Sequence, residues 1–524
     1  MPKQQKSEAL VLGIAILLTG GILAGGGWWA QRAGLLPGSG SGGFTTTQAN
    51  NPNINLTLKA LGDTFSGYST LRSEAFQASL AERGIGLAYG DEFNQQARAQ
   101  ALSEGKVDLM VTTLDQYLVY QPAGRIVALV DRTVGADAVL LNTQTYPQLQ
   151  SLLDLETLVA AEQAQGRRLK IVYAGDTPSE FLAIVLDTKF DNFNLADFEI
   201  EKVADASIAW ERMQSDRQVA IAVLWEPFVT EAQQQGNTVV LSSADAPRSI
   251  VDVAVASDRL LASNPEAVKS FVETYYRRID ASLQDRELLT RQIAQDGDLD
   301  PEAAQAVSAG IQFFTSVEAQ DWMQSGTLDK RIGAIASILV LAGRLPAPPA
   351  DPQALYTAEY LTAVAQQTAG LVELIAQDNP ELAERLRPAA NTAQAANASP
   401  EQVQQAPDIG NLTVQGEVQF QTGSAQLTTT GVQTLDRLAA EISEFSPANV
   451  GIKVQGHTSR TGSADLNQRL SQQRAQVVVD YLKNKQLQHS FFAEGLGFSQ
   501  PLSGVDPAAA ANQRTVIRLV RLNS

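Results

Sequence analysis

Residues 169–190 read LKIVYAGDTPSEFLAIVLDTKF: a short apolar run, a polar turn, then apolar positions at helical spacing. The first part suits a buried strand. In the turn, Thr177, Pro178 and Glu180 spell a capping box with proline at the first helical position, which predicts a helix over 178–190. The same order recurs along the chain. NLTLKAL precedes a helix over 70–82, and VDLMV and VAIAVLW are each followed by another. From about 53 to 345 this alternation predicts α/β architecture with mostly parallel sheets, and nearly 300 residues suggest two lobes.

In open α/β sheets, ligands sit beyond the carboxyl ends of the strands. There the chain is polar: Gly62 to Tyr68, Thr112 to Asp115, Gly175 to Glu180, and Glu226 with Pro227. Hydroxyls and free N–H groups at helix starts suit an anionic or strongly polar solute. Thr177, Pro178 and Glu180 would equally serve as a plain helix cap.

Five motifs in order carry a resemblance: GKVDLMVTTLDQYLVY, VDRTVGADAVL, GDTPSEFLAIVL, LWEPFV and SNPEAVKSFVETYYRRID. Together they resemble the type 2 periplasmic solute-binding proteins of the nitrate, sulfonate, taurine and thiamine-precursor group. The resemblance covers residues 53–345 and implies two α/β lobes closing over a small polar or anionic solute, with delivery to an ABC permease and no cofactor. Carried over by motif, the cleft residues are Thr64, Tyr68, Thr113, Asp115, Asp137, Thr177, Ser179, Trp225 and Glu226. An unpaired carboxylate repels an oxyanion by about 1 kcal/mol at 4 Å in water, and by more when desolvated. Asp115, Asp137 and Glu226 therefore lean toward a cationic or neutral polar solute unless they point away.

Residues 9–30, ALVLGIAILLTGGILAGGGWWA, hold no charge over 22 positions, enough for one membrane-spanning helix. Lys3 and Lys6 before it and the Trp28, Trp29 pair closing it predict a single-pass anchor in the inner membrane. Residues 1–8 would be a cytoplasmic tail, and the bulk of the chain would lie in the periplasm. The Gly-, Ser- and Thr-rich stretch 31–52 reads as a flexible tether. The segment 346–410 reads as a helix over about 352–387, then an Ala-, Gln- and Pro-rich spacer that holds the next domain at a distance.

Residues 411–524 hold ten basic and eight acidic side chains, so the acidity of a chain at −18 lies upstream. Strands at GEVQF, VGIKVQGH, FFAEGLG and TVIRLVRL, with helices over 427–444 and 464–484, predict a small α+β sandwich. On the second helix, Leu466, Leu470, Val477, Val478 and Tyr481 share a face with Asn467 and Arg474. A guanidinium there needs an internal partner or an anion from outside.

FQTGSAQLTTTGVQTLDRLAAEI, VQGHTSRTGSADLNQRLSQQRAQVVVDYL, GLGFSQP and NQRTVIRL resemble the OmpA-like peptidoglycan-binding domain over its whole length. That resemblance implies a diaminopimelate stem peptide as partner, held by Thr458, Ser459, Asn467, Arg474 and Arg514. Ser459 stands where the family has an aspartate, and it supplies no countercharge for an ammonium group.

An acidic chain argues against a nucleic-acid partner. The absence of cysteine removes disulfides and thiolate sites, and His457 and His489 are the only histidines. No Ser, His and Asp set can form in the α/β region, and no metal centre or catalytic residue is expected. The sequence therefore predicts an anchored solute-binding protein attached to the wall, or alternatively an envelope sensor or scaffold in which the solute module regulates attachment without transport.

Overall fold

The computed structural model describes residues 44–46, 51–380, 383, 397–414 and 416–522. The tail 1–8, the apolar segment 9–30 and most of the tether 31–52 lie outside the described residues. Among the described residues, no helix is long and apolar enough to cross a membrane.

Lobe 1 begins with β1 (Leu56–Gly62), β2 (Ile85–Asp91), β3 (Leu109–Thr113) and β4 (Gly124–Thr133). The chain then crosses to lobe 2, formed by β5 (Asp137–Leu141), β6 (Lys170–Ala174), β7 (Glu199–Val203), β8 (Val219–Trp225) and β9 (Thr238–Ser242). It returns through 243–250 to β10 (Val251–Ser257) and, after further helices, β11 (Ile311–Phe313). Lobe 1 has strand order β11-β4-β10-β3-β1-β2 and lobe 2 has β7-β6-β8-β5-β9.

Two lobes are thus present, but the sheets are mixed. β1 runs parallel to β2 and β3, and β6 runs parallel to β7 and β8. β10 is antiparallel to β3 and β4, and β5 is antiparallel to β8 and β9. The cause is the crossing: strands that carry the chain between lobes must run back against the parallel set.

Local signals set the elements. The helix Pro178–Lys189 starts where its sequence predicts, with the Thr177 hydroxyl accepting from Ser179 N, but the expected capping box is not formed because Glu180 accepts from Asp176 N instead. The expected helix over 70–82 is split at Ser73, whose side chain caps Glu74–Ala81. The expected 352–387 helix is a short turn at Pro352–Leu355 followed by Thr362–Asp378. Leu361 and Val364 bury in the lobe 1 core, and Thr368 donates to Asp280 at 2.6 Å, so this helix folds back instead of reaching outward.

The C-terminal domain has β12 (Asp408–Asn411), β13 (Val450–Gly456), β14 (Phe491–Gly495) and β15 (Thr515–Arg521), in the order β12-β15-β13-β14. Its first strand is not GEVQF, where only Phe420 bridges to Leu427. The sheet instead takes 408–411, mostly from the stretch read as spacer, with Ile409 and Leu412 buried, while Val418 and Phe420 of GEVQF pack against the same core only in part.

The stand-off is also overturned. Ile409, Leu412 and Phe445 of this domain share one apolar core with Leu152 and Phe190 of lobe 2. The Phe190 and Phe445 rings meet edge to face at 6.2 Å. Thr413 N donates to Lys189 O at 2.8 Å, Ser446 N to Asp245 O at 2.8 Å, and Arg521 pairs with the buried Asp245 at 2.7 Å. Arg331 of lobe 1 also pairs with Glu444, so the domain touches both lobes.

Candidate functional site

Only residues 134–136 join β4 to β5, so the strand ends beside this crossing form the floor between the lobes. Asp131 in β4, Asp252 in β10 and Asp137 at the start of β5 are all buried there. Register sets Asp252 opposite Thr113 and Asp137 opposite Trp225. From the first loop, the Tyr68 hydroxyl donates to Asp252 Oδ1. Asp131 is wholly buried and neither of its oxygens has a hydrogen-bond partner. Its Oδ2 lies beneath Gly67, where an added Cβ would fall 2.2 Å away, so glycine permits this close approach.

Burial makes the charged form of each acid costly. It pushes Asp131 well above the ordinary carboxylate range, with Asp137 adding to the effect. Asp252 is raised by burial and then by Asp131, against the lowering bond from Tyr68. Burial, with Glu226 adding, pushes Asp137 up to about 7. Glu226 is itself raised by burial, although its carboxylate accepts from Thr230 N at 3.1 Å and from the Thr230 hydroxyl at 2.9 Å. A line of acids thus runs from lobe 1 through the crossing into lobe 2.

Of the residues expected in the cleft, Tyr68, Thr113, Asp137, Trp225 and Glu226 fall on this floor. Thr64, Asp115 and Thr177 make local contacts. Thr64 offers its carbonyl to Arg72. Asp115 lies in the first turn of the helix Leu114–Tyr120, takes the Gln116 amide at 3.0 Å, and is pushed by burial up to about 6. Thr177 caps its helix and donates to Ala174 O at 2.8 Å. Ser179 is fully buried with its hydroxyl unpartnered, at a helix whose Phe181 and Val185 pack into the lobe 1 core.

The expected anion receptor at this helix start is already occupied. The Glu180 carboxylate accepts from Asp176 N at 2.8 Å and is braced by Lys202 at 2.8 Å and by Arg344. A carboxylate there satisfies the donors and the positive end of the helix that an anion would otherwise use. Sequence reasoning missed Asp131, Asp252 and Glu180 as determinants of the cleft. The available signal was an aspartate inside an apolar strand run, in IVALVDRT and in IVDVAVAS, since such positions are seldom charged without purpose.

In the C-terminal domain the helix Ala464–Asn484 buries Asn467, Ser471, Arg474, Ala475, Val478, Val479 and Leu482, while Leu466 is 53% exposed. The buried stripe is rotated from the expected one but keeps Asn467 and Arg474 within it. Asn467 donates to Thr461 O at 2.8 Å and Ser463 O at 3.0 Å, bracing the loop before the helix. Arg474 Nε donates to Ser424 O at 3.0 Å, and its guanidinium lies over the Phe420 ring at 5.1 Å. Its Nη1 reaches Gln513 Oε1 at 3.4 Å, and Gln513 Nε2 donates to Ser459 Oγ at 3.2 Å.

Gln513 thus links the arginine to the serine and is the residue that motif reasoning passed over, although it immediately precedes Arg514. Among the described residues Arg474 has no carboxylate partner, and burial alone lowers its pKa. Thr458 Oγ1 and Arg514 Nη1 are buried without partners. His457, pushed by burial down to about 4, is neutral. The site offers donors and two guanidinium groups, Arg474 and Arg514, that have no carboxylate partner among the described residues.

Residues 419–515 match the OmpA family. Outer membrane protein A of Shimwellia blattae is 41% identical over 95 residues, which are 18% of this chain and 39% of that protein. The Salmonella typhi protein of the same name is 38% identical over 106 residues, 19% of this chain and 30% of that one. The chain therefore spans well under half the length of these relatives, and the likeness concerns the OmpA domain alone.

For the lobes, the aliphatic sulphonate binding protein of Escherichia coli aligns at 14% identity with TM-score 0.45, over 57% of this chain and 92% of that one. The nitrate-binding protein of Synechocystis aligns at 14% and 0.45, over 61% and 90%.

Proposed function

We propose that the chain is a periplasmic solute receptor, anchored in the inner membrane by residues 9–30, whose OmpA domain attaches it to the stem peptide of peptidoglycan. Delivery of the solute to an ABC permease belongs to this reading. The observation that carries it is the union in one chain of two lobes hinged on buried polar strands with an OmpA domain whose Arg474 lacks a countercharge. A carboxylate from outside would complete Arg474, as charge-assisted pairing favours. The reading is of a binding protein and invokes no catalytic residue.

Docking of the OmpA domain on both lobes favours a second reading, an envelope sensor. Arg331 to Glu444 ties it to lobe 1, the Phe190 and Phe445 core ties it to lobe 2, and a cavity of about 530 Å³ lined in part by Arg132, Arg248, Glu444 and His489 lies where the three meet. Lobe motion would then strain the OmpA domain, so solute and wall would each change the other's affinity.

Co-sedimentation of the full chain with purified diaminopimelate-type peptidoglycan tests attachment. Retention that disappears in Arg474→Ala supports it, and retention unchanged by that substitution removes the role given to Arg474. Repeating the assay with a solute that raises the melting temperature separates the two readings: only the sensor requires wall affinity to change.

A further inference from the structure

The cleft has positive groups nearby, but each is already engaged. Arg98 is fully buried, yet its Nη2 pairs with Asp63 at 2.9 Å and its Nη1 donates to Val111 O at 2.7 Å. Arg72 is held by Asp296 and by the carbonyls of Asp63 and Phe65. Arg132 is paired with Glu318 at 2.8 Å and covered by the Phe314 and Trp322 rings. Both helix starts that face the cleft hold acids of their own, Asp115 and Glu180.

Apart from the buried Nε of Arg132, the unused bonding capacity here is that of oxygens. Asp131 has two buried oxygens with no partner, and among the described residues Asp131, Asp137 and Asp252 form no ion pair. Thr113 stands directly across from Asp252 in the sheet, and its buried hydroxyl forms no hydrogen bond with that acid. Tyr275, buried against Phe76 and Tyr276, carries a hydroxyl that is also unpartnered.

An oxyanion in this place would meet a row of acids with no free cation. A group bearing several N–H donors and a positive charge satisfies the same atoms and favours their ionised form against the cost of burial. Among the described residues, no group of three acids is placed to hold a metal ion.

We infer that the cleft receives an organic cation with an ammonium or amidinium head, held by Asp131 and its neighbours Asp252 and Asp137. This inference rests on the solute-binding reading above. The head lies on the floor against Asp131, and the body extends toward Trp225 and Glu226 at the end of β8.

The test is a thermal-shift and calorimetric screen of the full chain with two sets of probes: agmatine, putrescine and choline, and against them taurine, nitrate and bicarbonate. The expected result is saturable stabilisation by a member of the first set, with affinity at least tenfold weaker in Asp131→Asn. That variant replaces an unpaired buried acid by a neutral side chain of the same shape, so its unliganded melting temperature should equal or exceed that of the parent. Asp137→Asn provides a second variant should the first fail to fold, with the same tenfold loss expected. Binding of taurine, nitrate or bicarbonate but of no cation overturns the inference and leaves solute binding standing. Cation binding that both variants preserve removes the assignment to this floor. Silence from both sets removes the inference together with the solute-binding reading.

Discussion

Replacing Phe445 by alanine tests whether the OmpA domain and lobe 2 form one folding unit. Phe445 is 3% exposed and sits in the core shared with Phe190, Leu152 and Leu412. Truncating a core phenylalanine costs about 3–5 kcal/mol, of which the edge-to-face contact with Phe190 contributes about 0.5–1.5. None of the five tryptophans lies beyond residue 411, and Trp210 and Trp225 belong to lobe 2. Tryptophan emission is therefore blind to the OmpA domain itself. Urea unfolding of the full chain, followed by emission, should show the lobe transition moving down by about 1 M for a loss of 3 kcal/mol and a slope near 3 kcal/mol/M. A cycle with Phe190→Ala should return a coupling of about 0.5–1.5 kcal/mol across the domain boundary. An emission transition that superimposes on the parent's, with circular dichroism alone reporting the loss, would refute the shared core.

Three further outcomes are expected. Asp137 titrates near 7 when folded, above its unfolded value near 4, so the folded state binds the extra proton and stability falls as pH rises from about 4 to 7. Asp137→Asn should abolish a loss on the order of 3–4 kcal/mol, leaving the variant close to the parent at pH 4 and more stable at pH 8 in melting curves. Ser459→Asp introduces an acid beside Gln513 and should tighten co-sedimentation with diaminopimelate-type wall by about 1.5–3 kcal/mol, roughly ten- to a hundredfold. Gly410→Val should weaken docking, because an added Cβ already lies 3.0 Å from Leu152 and Phe190; limited proteolysis between 380 and 397 should accelerate, and an unchanged rate would contradict the tight approach.

The parts of the fold legible in the sequence are those governed by neighbours a few residues apart. The cap at Thr177, the apolar run of β8 and the strand at Val450–Gly456 depend on local propensity and period, and each lies where the pattern puts it. The break at Ser73 is a local cap that the reading passed over, whereas the fold-back of Thr362–Asp378 was not legible, because it is decided by a distant surface that covers it. The same holds for the stand-off. The spacer composition describes how a free chain behaves, whereas Leu412 and Phe445 bury against lobe 2 for a gain of about 1.5–3 kcal/mol per side chain.

At the sites, residue types were legible and their commitments were not. Asp115 read as a cleft acid and Glu180 as part of a helix cap, and only contacts distinguish an acceptor that is satisfied from one that is free. Asp131 belongs to the second kind, and its strand context contained the hint. An aspartate buried in a β-strand without a partner lowers stability, and the proposed solute would offset that cost. Arg474 poses the same problem with opposite sign. Its Gln513 link to Ser459 gives the guanidinium a neutral neighbour where a carboxylate would have neutralised it. Each module therefore holds an ionisable side chain without a countercharge, an acid between the lobes and a guanidinium in the OmpA domain. Because the two modules share a core, meeting either charge stabilises the unit on which the other is built.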